Sequence, residues 1–251
     1  MHQLKKKIII TGQVEAVTGL HIGGTNNSMS IGELDNAVIR NPLNKEPYIP
    51  GSSLKGKMRS LTEIAHATFG ENPMSRDIKN TPSNHPEALA SKLFGFTGYK
   101  KVDKDGNEIK RQQPSRVIVR DGHLLNADDI GIELFSEVKS ETVIDRITSA
   151  AMPRQLERVP AGATFGLEII INIFSTDIEE ELMQGVFKSL QLVQDDYLGG
   201  SGSRGSGQVK FHITEVLEKT DAYYRGEVAA AENVTKNYQT YIDSLNPKVT
   251  S

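Results

Sequence analysis

The sequence predicts an α+β fold in which helices cover one face of an antiparallel sheet. Apolar and polar residues alternate, as they do in strands, within residues 5–20, 116–120, 164–174 and 209–217. Apolar residues recur at helical spacing after the first of these segments and again after the third. The resulting order of strand, helix, strand, strand, helix, strand is that of the ferredoxin-like arrangement.

The first helix is predicted to begin near residue 52, because the adjacent Ser52 and Ser53 are good N-caps. Before it, residues 31–40 are predicted to fold back as a short strand around Val38. The apolar stripe of the helix is Leu54, Met58, Leu61, Ala65 and Phe69, and its opposite face carries Lys55, Arg59 and His66.

The second helix is predicted to open at Asp177, with Glu180 completing a capping box. Its predicted buried stripe is Ile178, Leu182, Val186, Leu190 and Val193. A glycine-rich loop, residues 199–207, then leads into the last strand of the sheet.

Three segments do not have the pattern of a core element. Residues 70–114 are polar and rich in Pro, Gly and Asn, apart from residues 88–96, and are interpreted as an insertion over the domain. Residues 137–162 mix scattered apolar and charged side chains, which favours a protruding hairpin. A weaker polar helix is predicted near residues 228–245.

Composition excludes several classes of protein. The chain of 251 residues has 37% hydrophobic residues, enough for a core, but no apolar run approaches the roughly 20 residues that span a bilayer. It has no cysteine, which excludes disulfides and thiolate metal sites and is typical of a cytoplasmic protein.

The net charge of −3 conceals an uneven distribution. Residues 1–60 carry eight Lys or Arg against four acids, and residues 99–120 carry seven against three. Residues 176–197 instead carry six acids and a single lysine. This pattern indicates one basic and one acidic face, although mixed solvated charge would give it equally well.

Residues 51–57 match the first seven positions of a nucleotide-binding P-loop. The eighth position should be Ser or Thr to bind magnesium, and here it is Met58, so the pattern does not predict nucleotide hydrolysis. A helix N-terminus followed by three cations still favours phosphate binding, with an ordinary capped helix as the alternative.

Residues 200–205 match the dinucleotide-binding pattern G-x-G-x-x-G, but in the wrong context. That pattern needs a strand before it and a helix after it, and the order here is reversed. The glycines would let a phosphate backbone approach main-chain amides beside Arg204, and a flexible linker is the alternative.

Taken together, several blocks of sequence resemble the RAMP superfamily, and within it the backbone subunits of type III-A (Csm) CRISPR effector complexes. The blocks are residues 18–24, 31–36, 48–59, 141–148, 153–158 and 196–207. The resemblance spans roughly residues 5–215, which suggests a RAMP domain over 1–215 and a C-terminal extension over 216–251.

The resemblance implies an RRM-like palm with a lid at residues 70–114 and a thumb hairpin at 137–160. Several copies would coat a CRISPR RNA as a helical filament, together with other Csm subunits and the target RNA. Met152 and Leu156 would act as wedges that splay a nucleotide out of the guide–target duplex. No membrane partner is implied.

The resemblance also implies roles for single residues. Asp35 matches the catalytic aspartate of the family, acting as a base or as a ligand for Mg2+ or Mn2+, and His21 is a weaker candidate for guide contact. The residues expected to hold guide phosphates are Ser52, Ser53, Lys55, Lys57, Arg59, Gly202, Arg204 and Gly205. Some relatives bind zinc through Cys and His in the lid. This chain has no Cys, so zinc is not expected, and His66 and His85 are expected to be surface residues.

The implied reaction needs few protein groups. RNA can be cut when a 2′-hydroxyl attacks the adjacent phosphate, provided that the nucleotide is held in line. The sequence therefore predicts a guide-dependent endoribonuclease subunit. A non-catalytic guide-coating subunit is the alternative, and a phosphate-binding metabolic protein is a more distant one.

Overall fold

The computed structural model describes residues 3–24, 37–68, 82–102, 108–130 and 136–247. The strands in these ranges are β1 (Leu4–Ala16), β2 (Tyr48–Ile49), β3 (Phe96–Val102), β4 (Glu108–Gln113), β5 (Val117–Val119), β6 (Gly122–His123), β7 (Glu137–Ile144), β8 (Ala151–Arg158), β9 (Thr164–Phe174), β10 (Val209–Thr220) and β11 (Glu232–Asn233). The helices are α1 (Gly51–His66), α2 (Leu89–Phe94), α3 (Ala127–Ile130), α4 (Glu179–Asp195), α5 (Asp221–Tyr224) and α6 (Gln239–Leu245).

Among the described residues, five strands form a central antiparallel sheet in the order β11-β10-β1-β9-β5. β1 lies at the centre and pairs along nearly its whole length with β9 on one side and β10 on the other. Alternate β1 residues, including Ile8, Ile10 and Val14, are therefore buried between the sheet and the helices. The mixed α/β architecture with a central antiparallel sheet is confirmed.

Helices α1 and α4 pack against each other, and both contribute to the single cluster of buried apolar residues. The predicted stripe of α4 is correct from Leu182 onward, but Ile178 is 66% exposed and lies outside the core. On α1, Leu54 and Met58 are buried as predicted, whereas Ala65 is exposed.

The buried face of α1 turns toward the segment before α2. The carboxylate of Glu63 accepts the Ser83 N–H at 2.8 Å, and Thr62 is also buried. Ala90, Leu93 and Phe94 join the main core, so the part of residues 70–114 around α2 is not only an insertion over the domain. Phe69 lies outside the described residues.

Both predicted helix caps are wrong. α1 begins one residue before Ser52, with Pro50 as its N-cap, and Asp121 accepts the Gly51 N–H at 2.7 Å. α4 begins at Glu179, and the carboxylate of Asp177 instead pairs with the guanidinium of Arg116 through contacts of 2.8 and 3.0 Å. Arg116 is only 2% exposed, so a long-range ion pair has replaced the local cap.

The C-terminal segment, residues 221–247, packs against α4 and the outer edge of β10. Its predicted helix is wrong for the first half, because β11 and a 3-10 turn (Thr235–Tyr238) precede the short α6. The ring of Tyr241 stacks on Phe187 of α4 with 5.6 Å between centroids. Polar contacts join this segment to β10. The Val216 N–H donates to Thr235 Oγ1, the Val234 N–H donates to the Val216 carbonyl, and Asn246 Nδ2 donates to the Phe211 carbonyl.

Candidate RNA-binding surface

The start of α1 is built by close contact with β5. A Cβ atom on Gly51 would lie 2.2 Å from the carbonyl oxygen of Val119, so only glycine allows this approach. The Ser53 N–H donates to the carbonyl of Pro50 at 2.9 Å, and the Gly51 N–H is taken by Asp121. The Ser53 amide is therefore not free for a phosphate, and the exposed Ser52 is the better placed for an anion.

Two of the three cations on α1 are already paired within the chain. Lys57 Nζ lies 2.7 Å from a carboxylate oxygen of Asp196 and 3.5 Å from the centroid of the Tyr197 ring. Arg59 contacts Glu63 at 2.8 Å and donates to the carbonyl of Ser83.

Lys55 differs from these neighbours. Among the described residues it has no ion-pair partner, and its side chain is half-buried. Burial lowers the pKa of the Lys55 ammonium, and the nearby Arg59 charge lowers it further. A phosphate beside this group would relieve both effects, so Lys55 is the cation of α1 most available to RNA.

The glycine-rich loop is ordered by its surroundings and is not a flexible linker. Gly202–Arg204 forms a 3-10 turn that packs over Tyr197, where a Cβ on Gly202 would lie 2.0 Å from the ring. Gly205 follows with φ of 81° and has open space where a Cβ would point. The loop therefore lies beside Lys57, because Tyr197 contacts both.

Arg204 is 60% exposed and also has an internal partner. Its guanidinium lies 2.8 Å from a carboxylate oxygen of Glu141 on β7, and the Lys139 ammonium donates to the Arg204 carbonyl at 2.9 Å. Hydrogen bonds from Lys139 and Arg204 lower the pKa of the Glu141 carboxyl. These contacts join the loop to the hairpin formed by β7 and β8.

Most side chains of that hairpin are exposed, and its two strands pair only with each other among the described residues. Met152 is 52% exposed, but Leu156 is only 9% exposed at the base, so it is not presented as the predicted wedge. Ile147, in the turn between the strands, is 95% exposed, although it was not among the wedge residues expected from the sequence. The sequence feature that could have indicated an exposed Ile147 is an apolar residue within a turn. The turn begins at Asp145, whose carboxylate accepts the Ile147 and Thr148 N–H groups.

His21 is buried, with 9% of its surface exposed, and does not project outward as a guide contact. Its Nδ1–H donates to the main-chain carbonyl of Glu157 at 2.7 Å, and its own carbonyl accepts the Gly200 N–H at 2.8 Å. His21 therefore links the hairpin base to the glycine-rich loop.

Asp35 falls in residues 25–36, outside the described residues, but both ends of this segment are placed. Gly23 and Val38 form an antiparallel bridge, and the Ile39 N–H donates to the carbonyl of Ile22 at 2.8 Å. The described residues on both sides of this segment therefore lie beside the hairpin base. Within the described ranges, no group of three or more His, Asp or Glu residues could hold a metal ion. His66 and His85 are exposed.

Comparison with known proteins identifies the family of this chain. Residues 13–210 match the RAMP superfamily, and the chain belongs to it. Relatives named CRISPR system Cms endoribonuclease Csm3 are 37% identical in Methanocaldococcus jannaschii, covering 97% of this chain and 92% of that one, and 39% identical in Streptococcus thermophilus, covering 90% and 98%. The resemblance inferred from the sequence blocks is confirmed.

Solved structures agree. A Csm3–Csm4 subcomplex of the type III-A CRISPR-Cas interference complex aligns with a TM-score of 0.56 and 28% identity, covering 96% of this chain and 97% of that one. The Methanopyrus kandleri Csm3 crystal structure aligns with the same score at 24% identity, covering 88% and 80%, and so supports the fold alone. In the described residues, every helix is too short or too polar to cross a membrane.

Proposed function

We propose that this chain is a Csm3-type backbone subunit of a type III-A CRISPR complex, which binds the guide RNA and cuts the target RNA paired to it. The observation that carries this proposal is the match to endoribonucleases named Csm3 over nearly the whole chain. Its partners would be CRISPR RNA, target RNA, other Csm subunits and further copies of itself along the guide. A cytoplasmic location suits a complex that meets transcripts.

The fold of the proposed palm is ferredoxin-like, or RRM-like. The order β10-β1-β9-β5, with α1 after β1 and α4 after β9, is what that arrangement requires. The lid would be residues 70–114 and the thumb 137–160, with residues 216–251 as an extension. The exposed apolar residues of the thumb include Ile147, Ile144 and Met152, and Ile147, the most exposed, is the best placed to separate stacked bases.

The proposed guide-binding surface combines α1 with the glycine-rich loop. Lys55 supplies an available charge, Lys57 lies over the Tyr197 ring on which the loop packs, and Arg204 belongs to the loop itself. Exchange of their internal carboxylates for guide phosphates would conserve the charge pairing and would give binding that ignores base sequence.

For cleavage, the 2′-oxygen of the splayed nucleotide would attack the adjacent phosphorus, and the 5′-oxygen of the next nucleotide would leave. The 2′-hydroxyl loses its proton and the leaving oxygen gains one, which gives a cyclic phosphate and a 5′-hydroxyl. We assign Asp35 as the base or as a ligand of Mg2+ or Mn2+, because a carboxylate oxygen is a donor that these ions favour. The ion would stabilise negative charge on the phosphate.

The test is to purify the complex, sequence its bound RNA and add labelled RNA complementary to that guide. We expect cuts at regular intervals in the complementary RNA and none in an unrelated RNA of equal length. Bound guide without any cutting, at any divalent-ion concentration, would support the non-catalytic guide-coating alternative.

Replacing Lys55 should weaken the binding of unrelated RNAs about equally. We expect Lys55→Ala to reduce the slope of log affinity against log salt by about one unit, because one phosphate contact is lost. Filter binding at several salt concentrations measures this slope. Lys236→Ala, which alters an exposed lysine of the C-terminal segment, is the matched control and should leave the slope unchanged. Equal slopes for the two variants would remove Lys55 from the guide-binding surface.

Removing Glu141, the internal partner of Arg204, should strengthen RNA binding. Glu141→Gln removes the carboxylate charge that lies 2.8 Å from the Arg204 guanidinium, so an RNA phosphate no longer competes with that carboxylate for Arg204. Because an ion pair with a solvent-exposed arginine is weak, the RNA affinity of the free subunit should rise by no more than about fivefold at low salt. Fluorescence anisotropy measures this, and Arg204→Gln in the same background should abolish the gain. A weaker binding of Glu141→Gln would mean that the pair organises the surface.

A further inference from the structure

We propose that the face of the central sheet opposite α1 and α4 docks an amphipathic helix of a partner protein, with acidic residues along one flank of that helix. The proposal goes beyond the proposed function, because it requires neither RNA binding nor RNA cleavage by this chain. The surface that carries it is an aliphatic row with lysines along one side, called here the docking row.

The docking row crosses four neighbouring strands of the sheet. From β5 to β10 its members are each opposite the next in register, and they are Ile118, Ile170, Ile9 and Leu217. The residues immediately before and after Ile9 point into the core, so Ile9 points to the other face. None of the four belongs to the main core cluster, and Ile118 is 38% exposed. The sheet therefore carries a second apolar surface on the side away from the core.

Two lysines lie together along one side of this row. Lys7 of β1 is directly opposite Lys219 of β10. The adjacent Lys6 contacts two glutamates, at 2.7 and 2.8 Å, whereas neither Lys7 nor Lys219 has an ion-pair partner within the part of the chain that the structure describes. Like charges directly opposite each other destabilise a sheet. An acidic group from a partner would relieve this repulsion, which the isolated chain leaves in place.

The charges on the opposite side of the row have partners within the chain. Thr11 of β1 lies between Glu168 and Glu215. The Glu168 carboxylate lies 3.4 Å from the Arg120 guanidinium, and the Glu215 carboxylate accepts an N–H of Asn233 at 2.8 Å. The unpaired charge beside the docking row is therefore positive, which favours acidic residues in the partner that covers it.

The dimensions of the surface suit a helix. Lys7 and Thr11, on the two sides of the row, are four residues apart, which is about 13 Å along a strand. A helix with its side chains is about 10–12 Å wide. The row itself crosses four strands, about 14 Å, and about ten helical residues have that length. A helix along the row would place its apolar stripe on the four aliphatic side chains and one flank beside Lys7 and Lys219.

Two other occupants fit this surface less well. RNA bases stack on aromatic side chains, and the docking row has none. A second copy of this chain would have to offer an exposed apolar stripe on a helix, but the stripes of α1 and α4 are packed in the core. A helix of another protein is therefore the occupant that the surface favours.

The first test replaces Ile118, at the exposed end of the row, with the photo-crosslinking residue p-benzoylphenylalanine. The complex purified with this subunit is irradiated, and the crosslinked peptides are mapped by mass spectrometry. We expect a crosslink to one helix of another protein subunit, with Asp or Glu along one flank. Crosslinks confined to RNA or to copies of this chain, or no crosslink at all, would overturn the proposal.

The second test separates docking from folding. In the free subunit, Lys219→Glu replaces a like-charged cross-strand pair with an oppositely charged one, so the melting temperature should not fall. In the complex it should lower retention of the crosslinked subunit by at least about tenfold, because an acid of the partner then meets a like charge. Changing that acid to lysine should restore retention. The matched control is Lys210→Glu, which alters an exposed lysine of β10 outside the row and should leave retention unchanged.

Normal retention in Lys219→Glu, or a loss that the charge-reversed partner does not restore, would contradict the docking role. The outcome is independent of catalysis, because retention of a subunit is what is measured. A complex that keeps the partner but cuts no RNA would count against the proposed function and leave the docking surface standing.

Discussion

Asp35→Ala should abolish the cutting of guide-complementary RNA while the complex still binds guide and target. In the proposed function phosphate contacts carry the affinity, so loss of one carboxylate should leave the binding of guide and target nearly unchanged. A general base contributes about 10²- to 10⁴-fold to a rate, and the cleavage rate should fall by at least that amount. Gel analysis of end-labelled target at saturating complex measures it.

A chemically modified RNA target tests the attack by the 2′-hydroxyl directly. A target with a 2′-deoxy nucleotide at one cut site should be spared there and cut normally at the other sites, because the attacking hydroxyl is missing only there. Cutting at the deoxy site would contradict the mechanism even if Asp35 proved essential. Wild-type cutting by Asp35→Ala would leave a subunit that only coats the guide.

Asp177→Ala should destabilise the fold far more than the loss of an acid from an exposed ion pair. It would leave the guanidinium of Arg116, 2% exposed and 4.2 Å from the centroid of the Phe174 ring, buried without its partner. Breaking a buried pair from one side costs about 3–5 kcal/mol. Urea denaturation of the free subunit measures the loss.

The chain offers a matched comparison for that variant. Glu168→Ala removes the partner of Arg120, a pair separated by 3.4 Å whose arginine side chain is 62% exposed, and should cost less than about 1 kcal/mol. The double variant Arg116→Met with Asp177→Leu should recover much of the lost stability, since no buried charge is left unpaired. Equal losses in Asp177→Ala and Glu168→Ala would contradict this account.

Asp177 also shows where the sequence could and could not predict the fold. The long strands β1, β9 and β10, and the buried stripe from Leu182 onward, could be predicted because their patterns repeat over many residues. The helix starts could not, because a nearby capping box and a distant arginine compete for the same carboxylate, and only the three-dimensional structure decides between them. The ordinary N-cap preference of Ser52 was likewise overridden by Asp121, far along the chain.

The candidate site could likewise be predicted only in part from the sequence. The positions of Lys57 and Arg204 could be recognised from the sequence blocks, but not their pairing with Asp196 and Glu141, which lie far away in sequence. The Glu157 carboxylate accepts the Val38 N–H at 2.7 Å, a contact between residues far apart in the sequence. No local pattern encodes that contact.

The contacts along β10 bear on how copies of this subunit can associate. A strand at the edge of a sheet normally offers a row of open hydrogen-bonding groups on which another chain can add a strand. Here β11, Thr235 and Asn246 occupy groups on that edge, and the opposite edge strand, β5, is only three residues long. The sheet is therefore protected at both ends against growing from one molecule into the next. In the proposed complex, neighbouring subunits would therefore meet through side chains and shared RNA, which permits ordered stacking without the open-ended strand addition that leads to aggregation.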